Sequence, residues 1–129
     1  LALLVVLPAV VSAAAAQTRR QVARWGSSEA LLEDIARASP DDPVPLIHLA
    51  LHLSLRAPTP EKDARAEELL RLALRASPRT PKVLLNLGHF LHARGRHAEA
   101  AEHLGRAARI DPADPHVRAL LQQAQAALK

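Results

Sequence analysis

The stretch "NLGHFLHARGRHAEAAEHLGRAARIDP", residues 86–112, sets small residues at regular intervals. Gly88, Gly95, Ala100, Ala107 and Pro112 follow one another at steps of seven, five, seven and five. The run is too long and too interrupted for one helix, and too orderly for a loop. Gly95 suits the left-handed residue that ends a helix. Pro112 stops whatever precedes it. The stretch predicts two helices joined at a glycine turn, with small side chains where their axes approach.

The same punctuation recurs along the chain. Asp42-Pro43, Thr59-Pro60, Thr80-Pro81 and Asp114-Pro115 each place a capping side chain directly before a proline. The side-chain oxygen can accept an orphan backbone N–H, and proline at the first helical position lacks nothing the helix needs. Pro40, Pro78 and Pro112 follow apolar-periodic stretches and end them. Helices are expected at 28–38, 43–56, 60–76, 81–94, 97–109 and 115–128, with another possible at 17–25. Ala, Leu, Arg and Glu dominate, and Trp25 and Phe90 are the only aromatic residues, which agrees with an all-α protein.

These helices repeat. Pro78 and Pro112 are 34 residues apart; Pro40 and Pro78 are 38 apart, the surplus fitting the loop at 57–60. On this alignment Leu46, Leu49, Ala50 and Leu53 match Leu84, Leu87, Gly88 and Leu91. Ala66, Leu70 and Ala73 match Ala100, Leu104 and Ala107, and upstream Leu32, Ile35 and Pro40 reproduce the spacing of Leu104, Ala107 and Pro112.

The pattern Leu84-x2-Leu87-Gly88-x2-Leu91, Ala100-x3-Leu104, Pro112 resembles the tetratricopeptide repeat family, with leucine in place of its three aromatics. The resemblance covers residues 28–129. It implies a right-handed α-solenoid of helix-turn-helix repeats: a half repeat at 28–42, repeats at 43–80 and 81–114, and a C-terminal capping helix at 115–129. A single helix pair cannot bury its apolar face, so successive pairs must stack.

In this family the first helix of each pair lines a concave groove for a protein or peptide partner. Stepping from the packing stripe selects Ile47, His48, Leu51 and Leu55, beside Val44, in one copy. The other copy gives Lys82, Leu85, Asn86 and His89, beside Ala93. Asn86 occupies the place where the family's chaperone-tail binders grip a peptide backbone. Ile47 and Leu51 stand where those binders carry basic residues, so an apolar or helical segment is expected rather than a C-terminal carboxylate.

Other classes have less behind them. There is no cysteine, which excludes disulfides and thiolate chemistry. The fourteen Arg and three Lys outnumber thirteen acids but are scattered, often beside an acid, as a solvated surface would have them. No basic run alternates with stacking aromatics, so nucleic acid is not the expected partner. No phosphate-cradling glycine loop or catalytic constellation occurs, and no enzyme activity or cofactor is expected. His48 and His52, and His89 and His92, could each share a helix face, yet neither pair has a carboxylate within its helix. An accessory protein that handles metal or haem through surface histidines, during assembly of an envelope complex, is the alternative function. His97 and His103 are expected to face solvent or a neighbouring pair.

The N-terminal segment differs in kind. "LALLVVLPAVVSAAAAQ" bears no charge, is broken by Pro8, and ends in small residues that offer A-x-A-like cleavage sites. Residues 1–16 are expected to be a signal peptide or an N-terminal membrane anchor, a hydrophobic helix ahead of a linker or helix at 17–27. The expected location is extracytoplasmic or membrane-anchored. The cytoplasmic face of a membrane is the alternative, favoured by Arg19, Arg20 and Arg24.

Overall fold

The computed structural model describes residues 28–56 and 58–129, with positions 16, 17 and 19, which are helical. The expected signal or anchor and the rest of the 17–25 helix lie outside the described residues. Six helices run through the repeat region: α1 (Ser28–Ala38), α2 (Pro43–Leu55), α3 (Pro60–Ala76), α4 (Pro81–Ala93), α5 (His97–Ile110) and α6 (Pro115–Ala126). No strand occurs among the described residues. No described helix is long and apolar enough to cross a membrane.

Local chemistry sets the boundaries. The Asp42 carboxylate accepts the N–H of Val44 at 2.9 Å, the Thr59 hydroxyl that of Lys62 at 3.2 Å, and Asp114 those of His116 and Val117. Thr80 departs from the expected cap: its side chain makes no such bond, and its backbone carbonyl accepts from Val83 and Leu84 instead. Pro43 and Pro45 both fit the first turn of α2, where no N–H is required. The α4–α5 turn closes as anticipated. Gly95 takes φ 76°, the Arg96 N–H reaches the Leu91 carbonyl, and the Gly95 N–H reaches that of His92.

Antiparallel pairs α2–α3 and α4–α5 form the most extensive packing, and α6 lies on α5. The backbones of α2 and α4 also approach each other, as do those of α4 and α6, whereas α3 and α5 stay apart. Spacing that is tighter on one side bends a stack toward that side. The first helices α2, α4 and α6 therefore line the concave face, and α3 and α5 lie outside.

Burial follows the repeat. Leu46, Leu49, Ala50 and Leu53 are 0–3% exposed, and their partners Leu84, Leu87, Gly88 and Leu91 are equally buried. Ala66, Leu70 and Ala73 are as buried as Ala100, Leu104 and Ala107. Gly88 meets the side chain of Leu104 so closely that a Cβ there would stand 2.6 Å from Leu104 Cγ. This is the point where the α4 and α5 axes nest. Val83 and Phe90 join the same core from the α4 face turned toward neighbouring units.

The upstream half repeat does not keep its expected register. Ile35, aligned with buried Ala107, is 42% exposed, and Ala36 is buried in its place. Among the described residues the backbone of α1 approaches that of α2, and the Lys62–Glu29 ion pair at 3.1 Å ties it to α3. The edge of α1 that carries Ala36 faces Leu46, Leu49 and Leu69.

Charged groups lock the outside of the hairpins. Glu67 on α3 accepts from Arg71 and from Arg96, whose other nitrogens hold Glu99 at 2.6 and 2.7 Å. Burial of Glu67 opposes its ionisation, but the bonds from Arg96 and Arg71 outweigh that and hold its pKa below the usual value. Arg94 binds Asp63 with two nitrogens and lies over the Phe90 ring, 4.4 Å from its centre.

Candidate partner-binding cleft

The first helices of successive units place matching repeat positions opposite one another. On α4, Leu85, Asn86 and His89 line one wall of an open cleft of about 500 Å³; on α6, His116, Ala119, Leu120 and Gln123 line the other. The two walls are the same positions one repeat apart. Adding 34 to 82, 85, 86 and 89 gives 116, 119, 120 and 123. Leu85 and Leu120 rest partly on the core and supply the apolar floor. His89 and His116 are exposed at its rim. The Asn86 side chain donates to the Lys82 carbonyl at 2.7 Å, which fixes its amide along the helix.

The sequence-selected residues divide between two places. Leu85, Asn86 and His89 are brought together here, and Lys82 is exposed one turn before them. The earlier set is not part of this cleft. Ile47 is 2% exposed and belongs to the core, so it cannot meet a ligand without repacking. Leu51 is half-buried against that core, His48 is exposed, and Leu55 is 73% exposed at the end of α2.

The four α6 residues were not selected from the sequence, because α6 read only as a terminal cap. The signal was the same 34-residue step. Carried to α6, that step turns the α4 positions that meet α5, namely Leu84, Gly88 and Leu91, into Arg118, Gln122 and Gln125, all exposed. Val83 becomes Val117, still fully buried. α6 is thus built to join the preceding unit and to face water on its far side.

Carboxylates are confined to one set of elements. All thirteen acidic residues lie on α1, α3 and α5 or in the turns at Asp41, Asp42, Asp111 and Asp114. The helices α2, α4 and α6 carry none; their ionisable side chains are His48, His52, Lys82, His89, His92, His116 and Arg118.

The histidines do not gather as metal sites would. His92 turns from His89 to His97, their Nδ1 atoms 2.9 Å apart, so one ring donates and the other accepts. His103 is 8% exposed, and its Nδ1 has no partner. Burial lowers its pKa, Arg106 and Arg71 add to that, and Glu102 and Glu99 oppose it. Among the described residues no group of three or more His, Cys, Asp or Glu is placed to hold a metal ion.

A family model, tetratricopeptide repeat, matches residues 64–124, from within α3 to within α6. Residues 64–124 belong to the tetratricopeptide repeat family. No curated protein matches the chain. The matched repeat segment contains both walls of the cleft and the Gly88–Leu104 crossing. Tetratricopeptide repeats serve as scaffolds for protein–protein contact, and this segment has their helical build.

Proposed function

We propose that the chain is a non-enzymatic adaptor that holds an apolar peptide or helix of a partner protein in the α4–α6 cleft. The observation that carries this is the pairing of Leu85, Asn86 and His89 with Ala119, Leu120 and Gln123 across the concave side, one repeat apart. An apolar side chain would cover Leu85 and Leu120, while the Asn86 and Gln123 amides meet backbone groups of the bound segment. His48, Leu51, Leu55 and Lys82 extend the same side of the array beyond the cleft. On this reading residues 28–129 form one right-handed solenoid, with α6 as its cap. Residues 1–16 tether it at a membrane or direct its export, so the partner is met at a membrane or beyond it.

The test uses the full chain as bait and compares single charge insertions at His89→Glu and Leu120→Glu with Gln125→Glu on the water-facing side of α6. Circular dichroism checks that each variant keeps its helix content. The two cleft substitutions should abolish retention of the captured partner, and Gln125→Glu should leave it unchanged. Equal retention by all three would remove the cleft from the reading.

A further inference from the structure

A second cavity of about 500 Å³ lies between the α3–α4 turn and the C-terminal end of α5, lined by Pro78, Arg79, Arg106, Arg109 and Ile110. It is lined by three arginines from two elements. Among the described residues none of the three is in an ion pair, whereas Arg37, Arg65, Arg71, Arg94 and Arg96 each sit on a carboxylate. Arg106 is held in place by donating to the Pro78 carbonyl at 3.2 Å. Arg109 lies back along its helix, its Nη1 being 3.8 Å from where a Cβ on Gly105 would stand.

Acids stand near but do not neutralise the group. The Asp111 carboxylate accepts the Ala113 N–H, and Glu102, one turn before Arg106, makes no bond to it. The exposed carbonyls at the end of α5 account for a cation there, but a helix terminus carries only about half a charge. Three guanidiniums exceed that.

We infer that this cavity binds a phosphate monoester, carried by a phosphorylated side chain of a partner or by a small phosphorylated molecule. Guanidinium forks match phosphate oxygens in bidentate geometry, and the group's charge of about −1.5 to −2 offsets most of the three positive charges. Pro78 and the half-exposed Ile110 offer an apolar wall for the carbon next to the phosphate. A nucleic-acid strand fits less well, because no aromatic ring lines the cavity for a base to stack on. The site uses none of the residues of the α4–α6 cleft, so its failure leaves that reading standing.

The arginine Nε–Hε signals of the full chain, followed by NMR during titration with inorganic phosphate at ionic strength held constant with chloride, provide the test. Arg79, Arg106 and Arg109 should shift saturably, with Arg75 and Arg118 unmoved. The double variant R79Q/R109Q leaves the Arg106–Pro78 bond in place and should weaken phosphate binding roughly tenfold. In a second arm, a phosphoserine peptide with a leucine beside the phosphate that binds more tightly than inorganic phosphate assigns the protein source; equal binding assigns a small molecule. Linear shifts shared by all five arginines, or undiminished binding by R79Q/R109Q, would overturn the site.

Discussion

A methyl group added at Gly88 would stand 2.6 Å from Leu104 Cγ, whereas one added at Gly105 would meet only Arg109 Nη1, at 3.8 Å. The two glycines share a helical backbone but differ in what surrounds them. Gly88→Ala should destabilise the fold by about 1–3 kcal/mol, the usual cost of forcing a packed interface apart. Gly105→Ala should stabilise it by up to about 1 kcal/mol, since alanine is the better helix former. Urea denaturation of both variants checks the pair. His103 calls for a different measurement. Its pKa is lowered in the folded chain, so below the ordinary value of 6.5 the unfolded chain takes up a proton that the native state resists. Stability due to the neutral form is present above pH 6.5 and declines as pH falls toward the folded value. Glu102, Glu99, Arg106 and Arg71 modulate that value. His103→Leu, which removes the unpartnered Nδ1, should flatten the stability profile below pH 6.5 and leave stability at pH 7.5 unchanged or raised. The turn glycine Gly95 and the crossing residue Gly88 were legible from spacing, because each is required by geometry the repeat imposes. The buried place of His103 was not, since an isolated polar residue on an amphipathic helix does not reveal which neighbour covers it.

At the scale of single helices, proline and its preceding cap placed most starts correctly, and each of the six helices from Ser28 onward ends within two residues of its expected stop. What periodicity could not supply was rotation. α2, "PVPLIHLALHLSL", is apolar on almost every side, so counting by three or four could not separate the concave-facing residues from buried Ile47. α1 differed too: among the described residues its backbone approaches that of α2, and Ala36 rather than Ile35 is buried. The ion cluster around Glu67 acts between elements, joining α3 to the residue that opens α5. Its lowered pKa means that its contribution is present above the ordinary carboxylate value of 4.5 and is lost as pH falls through the folded value. Glu67→Gln should therefore cost about 0.5–1 kcal/mol at pH 7, a figure reduced for its contact with solvent, and should remove the part of the acid limb below pH 4.5. Thermal melts between pH 3 and 7 read both effects.

Across the whole molecule, the 34-residue step predicts more than the helix order, because it assigns each side chain of α6 a counterpart on α4. Val117 repeats Val83 and is fully buried with Leu84 and Ala107, so Val117→Ala should lower stability by about 2 kcal/mol in equilibrium unfolding. Arg118, Gln122 and Gln125 repeat an apolar stripe with polar groups, and all three are exposed. Restoring the stripe as Arg118→Leu, Gln122→Gly and Gln125→Leu should make the chain self-associate, as exposed repeat faces do, and sedimentation velocity would show a species heavier than the starting protein. The absence of carboxylates from α2, α4 and α6 has an effect that reaches past contact distance. The acids of α3 and α5 are matched one for one by Arg and Lys, whereas α2, α4 and α6 carry Lys82 and Arg118 against no acid, so an anionic visitor is drawn toward these helices while still separated by solvent. That attraction fades over a screening length of about 8 Å in physiological salt. Orientation can thus begin before collision, which makes dilute and concentrated saline a way to separate how fast a visitor arrives from how firmly it stays.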